Sequence, residues 1–462
     1  MPERPHLPDH VIRAMFASEM SRMYQEEVPL YGRLLSIVKN VNDQVLSSDC
    51  ALAEQLGRQG ELNRFNREYH GAIRLGKPAE LATVRRLFAV MGMSPFGYYD
   101  LSVAGIPVHS TAFRPVDTES LRLNPFRIFT SLLRPELIED RDVRAEVVDI
   151  LKDRTIFSDA TIALIERFER DGGLNEGTAG DFVAGAIETF RWHKEAPVAP
   201  SVYRRLHEAH RLVADIACFR GPHINHLTPR TLDIDVAQRA MSAGGIDAKE
   251  IVEGPPRRDV PILLRQTSFK ALNEAVFFAD GGLRVSGTHT ARFGEIEQRG
   301  LALTPKGQAL YDTLLDAVRT AEDVAGLSYE ERLEVIFRKF PDDARTIRRE
   351  GLGYFQYQIV GKANAEDAAN FDLESLIEAG VVEADPITYE DFLPVSAAGI
   401  FQSNLGDGGP RERPSSAAKT EFEEALGARV IDIFDWYAEV ERRSIATVEK
   451  TLSGVAIGMN LK

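Results

Sequence analysis

Two stretches of the sequence decide the fold: Tyr69-His70-Gly71-Ala72-Ile73-Arg74 and Asn225-His226-Leu227-Thr228-Pro229-Arg230. Each contains a histidine, three further residues and an arginine, and each is followed by a turn and an amphipathic helix. An internal repeat constrains a fold more than any single motif does, because both copies adopt the same supersecondary structure. The sequence therefore predicts two similar modules.

The first module opens with the stretch that contains His70. Side-chain alternation and apolar spacing predict a strand over 69–75, a helix over 79–91, and strands within 98–103, 106–114 and 126–133. The second module opens with the stretch that contains His226. The same criteria predict a strand at 223–227, a helix over 233–243, and strands within 250–253, 262–270 and 287–298. Gly281-Gly282 is a hairpin-turn signal.

The remaining segments are predominantly helical by their apolar periodicity. The predicted order is N-terminal helices over 8–57, a first β-module over 64–134, a helical insertion over 135–220, a second β-module over 221–302, and a mostly helical part over 303–462 with a strand near 392–396. The predicted class is α+β: duplicated strand–helix–three-strand modules that form a curved β-sheet, with helical additions at both ends. We expect one large domain over 1–462.

Composition limits the classes of function. The chain has 462 residues, 44% of them apolar, and a formal net charge of -15. General binding of nucleic acid or of an anionic membrane needs a basic surface, which this composition argues against. No apolar run of about 18 residues predicts a transmembrane helix, and the N-terminus does not resemble a secretory signal. The two cysteines, Cys50 and Cys218, predict no disulfide framework, so we expect a cytoplasmic protein, and a homo-oligomer is compatible with this.

The repeated histidines suggest a metal site. Residues four apart on a strand share a face, so Arg74 is expected on the face of His70 and Arg230 on that of His226. Glu295 lies in a later predicted strand, and two histidines with one carboxylate form the facial triad of non-haem iron(II) oxygenases. An arginine on the same face can hold a substrate carboxylate with two hydrogen bonds. The same ligands also suit zinc or manganese.

Two choices of ligand stay open in this pattern. His223 competes with His226, but the shared spacing from histidine to arginine favours His226. Glu295 and Glu297 share a strand face, and Glu295 is preferred as the more central of the two. Glu297 has an alternative role as an ion-pair partner of Arg292 or Arg299 at the rim.

Three further histidines are expected to have structural roles. His289 is expected at the surface or in packing, with a supporting role near the metal as the alternative. His207 and His210 are expected on the solvated face of a helix. A single histidine in an apolar strand is more often a core residue than a ligand, and only the repeated context of the first two histidines argues otherwise.

Four motifs resemble a known family. They are Tyr-His-Gly-Ala-Ile-Arg at 69–74, His-Ile-Asn-His-Leu-Thr-Pro-Arg at 223–230, Thr-Ala-Arg-Phe-Gly-Glu-Ile-Glu-Gln-Arg-Gly at 290–300, and Phe-Leu-Pro-Val-Ser-Ala-Ala-Gly-Ile-Phe at 392–401. The module order resembles the vicinal-oxygen-chelate superfamily, and the order of ligands is similar to that of 4-hydroxyphenylpyruvate dioxygenases. The four motifs together resemble the 2-oxoadipate dioxygenase/decarboxylase family, also called D-2-hydroxyglutarate synthase, over nearly the whole chain.

The resemblance implies a metal site and a reaction. His70, His226 and Glu295 would bind iron(II), and the two histidines would thereby also contact the substrate. Such an enzyme converts 2-oxoadipate and dioxygen into D-2-hydroxyglutarate and carbon dioxide, a step of bacterial lysine breakdown. The 2-oxo acid would chelate the metal and act as its own reductant, so that no separate 2-oxoglutarate is needed.

The resemblance also implies how the far end of the substrate is bound. Arg74 would hold the distal carboxylate, and the backbone around Val395 and Ser396 would contact it as well. Two other functions compete with this one: an iron dioxygenase of an aromatic 2-oxo acid or a catechol, and a non-catalytic metal-binding protein on the same fold. An arginine facing the metal favours a second carboxylate over a phenyl ring.

Overall fold

A computed structural model describes residues 5–65, 67, 69–320, 326–362, 371–393 and 416–459. The chain divides into two compact units, each built from several segments. The first comprises Met1–Glu253, Gln266–Glu297 and Phe392–Ile431, and the second comprises Gly254–Arg265, Gln298–Asp391 and Asp432–Lys462. The prediction of one large domain stays a prediction. Among the described residues, none of the helices combines the length and apolar character needed to span a bilayer.

Three helices precede the first module, as the sequence predicts: α1 (Asp9–Glu27), α2 (Pro29–Ser48) and α3 (Cys50–Arg58). Helix α1 is fixed by Arg13, a fully buried side chain whose guanidinium donates to the carbonyl oxygens of Met91, Ser120 and Asn124. Phe16, on the same helix, is completely buried among other phenylalanine rings. A buried cation is tolerated there because backbone acceptors replace its hydration.

The first module has the predicted order of one strand, one helix and three strands, but the strand predicted within 98–103 lies at 93–100, because a 3-10 helix follows at Ser102–Ala104. Its elements are β1 (Tyr69–Leu75), α4 (Pro78–Ala89), β2 (Met93–Asp100), β3 (Val108–Pro115), a short helix α5 (Thr118–Leu123) and β4 (Arg127–Leu133). Pro78 begins α4, where its missing N–H is not needed. Strand β1 pairs in parallel with β4, so that the first and last strands of the module are neighbours.

The insertion between the modules is helical, as predicted. It contains α6 (Arg141–Lys152), α7 (Asp159–Asp171), α8 (Glu176–Phe190), the two-residue strand β5 (Glu195–Ala196), α9 (Pro200–Ala209) and α10 (Arg211–Ala217). Arg154, which follows α6, donates two hydrogen bonds to the Glu80 carboxylate of the first module. This ion pair is nearly buried and so attaches the insertion to that module.

The second module differs from the first in its middle strands. Its elements are β6 (His226–Pro229), α11 (Ile234–Ala243), β7 (Leu264–Ser268), β8 (Asn273–Asp280), β9 (Leu283–Thr290) and β10 (Phe293–Arg299). The main sheet has the order β2-β3-β4-β1-β6-β10-β7, while β8 and β9 form a separate sheet with β5. The α+β class with a curled sheet built from two modules is confirmed, and the modules meet where β1 pairs with β6.

Two strand predictions in the second module are wrong. The stretch 250–253 is not a strand, since only Glu253 makes an isolated bridge to Gln266, and two prolines without N–H donors follow it. The single strand predicted over 287–298 is two strands, β9 and β10, separated at Ala291 and Arg292. The chain breaks there because β9 pairs with β8 and β10 pairs with β6 in different sheets. The hairpin predicted at Gly281-Gly282 is confirmed.

The C-terminal part is mostly helical, as predicted. Its elements are α12 (Pro305–Thr320), α13 (Tyr329–Phe337), α14 (Ala344–Arg349), β11 (Phe355–Ile359), α15 (Leu373–Glu378), β12 (Val382–Pro386), α16 (Ser416–Leu426) and α17 (Ile433–Met459). The single final helix predicted over 418–449 is wrong, because Gly427 has a φ of 69° and ends α16. Of the strand predicted near 392–396, Phe392 and Leu393 lie outside any strand, and the other residues are outside those described.

Gly71 allows close contact between the two histidine-bearing strands, β1 and β6. A Cβ at this position would lie 2.6 Å from Ile224 Cδ1 and 2.9 Å from the His226 carbonyl oxygen. We expect Gly71→Ala to lower the free energy of unfolding by about 1–3 kcal/mol, the usual cost of overpacking. Urea unfolding of the metal-free protein measures the change.

Gly180, in the middle of α8, is the matched control for this substitution. A Cβ there meets no atom within 4 Å, and its φ is not positive. Gly180→Ala should therefore raise the free energy of unfolding by up to about 1 kcal/mol, because alanine favours the helix. Equal effects of the two substitutions would contradict the close approach of β1 and β6.

Candidate active site

The central strands of the main sheet bring His70, His226 and Glu295 together. Ala72 of β1 is opposite His226 of β6, and His226 is opposite Phe293 of β10. Glu295 is two residues beyond Phe293 and therefore lies on the same face of the sheet. The three side chains come from the opening strand of each module and from the closing strand of the second.

The three side chains form a compact and completely enclosed cluster. His70 Nε2 is 3.4 Å from Glu295 Oε1, and His226 Nε2 is 3.9 Å from the same oxygen. One nitrogen or oxygen atom from each residue lies within 4.8 Å of the others. The side chains are at most 1% exposed. The predicted convergence of two histidines and one carboxylate is therefore present.

Glu297 contacts the other side of the His70 ring. Its Oε2 is 3.1 Å from His70 Nδ1, and its Oε1 is 3.8 Å from Arg127 Nη1. The two glutamates of β10 thus face opposite nitrogens of one imidazole. The carboxylate of Glu297 can fix the orientation and tautomer of this ring, leaving Nε2 directed at Glu295.

Glu297 does not pair with Arg292, one of the two arginines considered from the sequence. Arg292 binds Glu274 and Glu27, and the Arg299 guanidinium donates to backbone carbonyl oxygens, those of Tyr389 and Asp391. Glu297 is fully buried inside the sheet rather than at its rim, which explains the difference.

Polar side chains support Glu295 from two sides. Thr228 Oγ1 donates to Glu295 Oε1 at 3.1 Å, and Gln266 Nε2 donates to Oε2 at 3.4 Å. Thr228 is opposite His70 in the pairing of β1 with β6. Tyr24 of α1 adds backbone support, because its hydroxyl lies 3.0 Å from the Asn225 carbonyl oxygen and 2.7 Å from that of Phe293.

His226 carries two buried nitrogens without a hydrogen-bond partner among the residues that the structure describes. Buried polar atoms are nearly always paired, since an unmade hydrogen bond costs about 1–3 kcal/mol. His70 and Glu295 supply further lone pairs directed at the same point. Two imidazoles and a carboxylate are a donor set for a divalent first-row transition metal, so these residues fit a metal ion.

The protonation of His226 is consistent with this fit. Burial, together with the charges of His70 and Arg74, holds the pKa of His226 well below its usual range. Burial also raises the pKa of Glu295. For His70, burial lowers the pKa, but the carboxylates of Glu297 and Glu295 outweigh it and the net shift is upward. A neutral His226 is ready to act as a ligand, because metals bind the unprotonated ring.

A cavity of about 550 Å³ lies beside the cluster. Phe293 belongs to its lining, and the Phe293 ring stacks on the His226 ring with centroids 4.8 Å apart. Its lining includes three cationic side chains, Arg74, Arg211 and Lys249, and two carboxylates, Glu208 and Asp215. Burial lowers the pKa of Lys249 to about 8, so this amine is mostly charged at neutral pH. The cavity is suited to an anion.

The arginines of the two repeats have different partners. Arg74 Nη1 is 2.5 Å from Asp215 Oδ2 at the cavity, whereas Arg230 Nη1 is 2.7 Å from Glu61 Oε2. The repeat pattern predicted that each arginine lies on the same strand face as the histidine four residues before it. Only Arg74 lines the cavity beside the cluster. Arg230 follows the end of β6, and its buried ion pair gives it a structural role.

The other histidines lie in different surroundings. His289 is buried, with Nε2 2.9 Å from Asp215 Oδ1, so of the two expected positions, surface or packing, the packed one is observed. His223 lies 3.2 Å from the same carboxylate oxygen and belongs to a separate group with Asp215 and His289. His207 and His210 line the cavity rather than a fully solvated helix face.

Sequence reasoning missed Asp215 and Lys249, which lie on unrelated segments and belong to no repeated motif. Val395 and Ser396, implied as backbone contacts of the substrate, lie outside the described residues. Phe392, just before them, packs its ring edge-on against His70 at 4.8 Å between centroids. An apolar ring at this point helps to exclude water from the cluster.

Comparison with known proteins identifies the family. The family model of 2-oxoadipate dioxygenase/decarboxylase matches residues 16–404. The chain belongs to this family. It is 55% identical to a protein of that name in Escherichia coli K12, covering 94% of this chain and 96% of the relative. The Pseudomonas putida protein of the same name is 52% identical over 98% of this chain and 99% of its own length. The resemblance seen in the four sequence motifs is confirmed.

Solved structures agree with this family membership. The chain is similar to hydroxyglutarate synthase from Pseudomonas putida in complex with 2-oxoadipate, with a TM-score of 0.89 and 51% identity over 98% of this chain and 100% of that one. It is also similar to the protein YdcJ from Shigella flexneri, with a TM-score of 0.86 and 50% identity over 96% of this chain and 99% of that one. Both similarities extend over nearly the whole chain.

Proposed function

We propose that this enzyme converts 2-oxoadipate and dioxygen into D-2-hydroxyglutarate and carbon dioxide with iron(II) as its metal. The observation that carries the proposal is the buried cluster of His70, His226 and Glu295, in which two nitrogens of His226 lack hydrogen-bond partners among the described residues. Family membership and the name of the Pseudomonas putida structure support the substrate.

The metal ligands in this proposal are His70, His226 and Glu295. Glu295 is preferred over Glu297 because its Oε1 faces the Nε2 atoms of both rings, while Glu297 faces His70 Nδ1. These residues would hold iron(II), which when bound supplies a centre that the 2-oxo acid can chelate and at which dioxygen can be activated, and three protein ligands leave positions for both. The protein contributes orientation of these ligands, a dry site and a binding surface for the rest of the substrate.

Arg74 is proposed to bind the distal carboxylate of the substrate. Its position at the cavity wall is close enough to the cluster for its charge to act on His226. Lys249 adds a second positive charge on the same cavity. An anchor at a fixed distance from the metal selects chain length, because a shorter diacid or a monoacid leaves a buried cation without its carboxylate.

The reaction balances without a further reductant. The bond between the carboxylate carbon and the keto carbon breaks, carbon dioxide leaves, and one oxygen atom completes the new carboxylate. The second oxygen atom enters the carbon alpha to that carboxylate as a hydroxyl. Arg74 would keep the shortened diacid in place between the two stages, so that hydroxylation occurs on one face. The proposal includes the family's role in lysine breakdown and a cytoplasmic location.

Oxygen-18 labelling tests this reaction. Iron(II)-loaded protein incubated with 2-oxoadipate and labelled dioxygen should give 2-hydroxyglutarate with one label in the new carboxylate and one in the hydroxyl. Mass spectrometry locates the labels, and chiral chromatography assigns the enantiomer. Unlabelled product, or no carbon dioxide release, would contradict the proposal. Turnover of 4-hydroxyphenylpyruvate or a catechol in its place would favour the competing dioxygenase functions.

The two glutamates of β10 give separable predictions. Glu297→Gln should weaken metal affinity by about 10- to 100-fold, the usual effect of losing the carboxylate that orients a ligand histidine. Glu295→Gln should remove stoichiometric metal binding, because the amide is a poor ligand. Competition with a chelator measures both affinities. If Glu297→Gln is the variant that loses metal while Glu295→Gln retains it, the ligand assignment is reversed.

A further inference from the structure

A second buried polar network lies on the other side of Arg74, and the reaction described above does not use it. Its centre is Asp215, on α10. The Oδ2 atom of Asp215 is 2.5 Å from Arg74 Nη1, and the Oδ1 atom is 3.2 Å from His223 Nε2 and 2.9 Å from His289 Nε2. Both carboxylate oxygens are therefore engaged: Oδ2 by Arg74 and, at 3.4 Å, by Asn225 Nδ2, and Oδ1 by the two histidines.

The network is held rigidly by its surroundings. His289 Nδ1 is 2.8 Å from the Tyr203 hydroxyl, and Trp192 packs against both histidine rings at centroid distances of 4.5 Å for His223 and 5.9 Å for His289. The two histidines and Asp215 are at most 6% exposed. Side chains locked by packing and hydrogen bonds on several elements fix the position of whatever they bind.

Asp215 is an anion within this network. Burial raises its pKa, but His223 and Arg74 outweigh burial and hold the pKa well below its usual range. Burial lowers the pKa of His223, although the neighbouring Asp215 carboxylate acts in the opposite direction. One negative carboxylate therefore faces one positive guanidinium, and the pair is charge-balanced without an additional ion.

Asp215, His223 and His289 also have the composition of a metal site. Two observations favour a hydrogen-bonded network over a metal site. Arg74 places a positive charge directly on the carboxylate, and both histidine Nε2 atoms are at hydrogen-bond distance from the same oxygen. A divalent cation between these groups would be repelled by the guanidinium.

We propose that Asp215, held by His223 and His289, is a positioning residue that aims the Arg74 guanidinium at the cavity and so creates the preference for a dicarboxylate. This inference rests on the proposed role of Arg74. A guanidinium has five N–H donors in a rigid plane, so it can bind Asp215 and a substrate carboxylate together. Without Asp215, the Arg74 side chain can adopt more orientations. Ordering it on substrate binding then costs conformational entropy, which weakens the binding.

The test compares two ligands that differ only at the distal end. These are 2-oxoadipate and 2-oxohexanoate, which has the same chain length without the second carboxylate. Anaerobic calorimetry on the iron(II)-loaded protein gives both dissociation constants. For Asp215→Asn we expect the dissociation constant of 2-oxoadipate to rise about 10- to 100-fold, as for an anchor misplaced by about 1 Å. The dissociation constant of 2-oxohexanoate should change by less than about twofold, since it makes no contact with Arg74.

Arg74→Ala separates this inference from the function on which it rests. If Arg74→Ala also weakens only the diacid, the role of Arg74 stands, and an Asp215→Asn protein that keeps wild-type affinity for both ligands overturns the inference alone. If Arg74→Ala affects both ligands equally, the proposed role of Arg74 itself fails. Equal weakening of both ligands by Asp215→Asn would indicate a general structural role and would also overturn the inference.

Two further measurements cover the remaining outcomes. Tyr203→Phe removes only the hydroxyl bound to His289, and it should weaken 2-oxoadipate by about two- to fivefold and leave 2-oxohexanoate unchanged, as expected for one hydrogen bond of about 0.5–1 kcal/mol. If Asp215→Asn does not fold, Tyr203→Phe takes its place as the test. The inference is overturned if Tyr203→Phe does not selectively weaken binding of 2-oxoadipate. A second equivalent of metal that is lost in Asp215→Asn would also overturn it, in favour of a metal site.

Discussion

His226→Ala is expected to abolish oxygen consumption with 2-oxoadipate and to lose stoichiometric iron. His226 is one of three proposed ligands, and its buried ring has no other hydrogen-bond partner among the described residues. Loss of a group that merely orients a ligand costs about 10- to 100-fold, so loss of a ligand should reduce turnover by about 1000-fold or more. Iron content by mass spectrometry and oxygen uptake by electrode measure the two effects.

His109 provides a control of the same residue type. It is a buried histidine on β3 that packs against Phe422 and lies outside the cluster. His109→Ala removes the same atoms from a buried site and should lower stability, while iron content and turnover per folded molecule stay the same. If His226→Ala keeps one iron per chain and full turnover, or if both variants lose iron equally, the assignment of His226 is wrong.

Arg74→Ala is expected to lower kcat/KM for 2-oxoadipate by about 100-fold or more. Truncating one member of a buried charge pair costs about 2–5 kcal/mol, and each 1.4 kcal/mol is a factor of about ten. The variant also leaves Asp215 without its positive partner. Iron content should stay the same, because Arg74 is not a proposed ligand. Steady-state oxygen uptake over a range of 2-oxoadipate concentrations gives the value.

Arg230→Ala is the matched control, because Arg230 occupies the same position in the second repeat. It pairs with Glu61 and does not line the cavity. We expect a loss of stability with unchanged preference for 2-oxoadipate over 2-oxohexanoate. A selective loss of the diacid in Arg230→Ala, or an unchanged preference in Arg74→Ala, would contradict the account of the distal anchor.

The first module could be predicted well because local signals agree there with the tertiary structure. Alternating apolar residues in β1 and Pro78 at the start of α4 act within one short segment. The second module was predicted less well because its middle strands pair outside the main sheet. Side-chain alternation cannot reveal which strand is the partner, so a break such as that at Ala291 and Arg292 is invisible in sequence.

The cluster of His70, His226 and Glu295 was predicted from sequence because its histidines open equivalent strands. The contacts of the residues around the cluster were not predicted. Both Glu295 and Glu297 were recognised as facing the same way, but only the structure distinguishes the nitrogens of His70 that they face. Asp215 comes from the helical insertion, and its three partners are distant from one another in sequence. Contacts of this kind depend on how the insertion packs against the modules, and helical periodicity does not reveal those partners.

Oxygen consumption by the anaerobically iron(II)-loaded protein tests the central claim most directly. The substrates are 2-oxoadipate, 2-oxoglutarate and 4-hydroxyphenylpyruvate, each added alone, with His226→Ala as the inactive control. The account predicts rapid uptake with 2-oxoadipate, matched mole for mole by carbon dioxide, and little uptake with the other two acids. Stoichiometric bound iron without uptake on 2-oxoadipate, or equal uptake with 4-hydroxyphenylpyruvate, would contradict it.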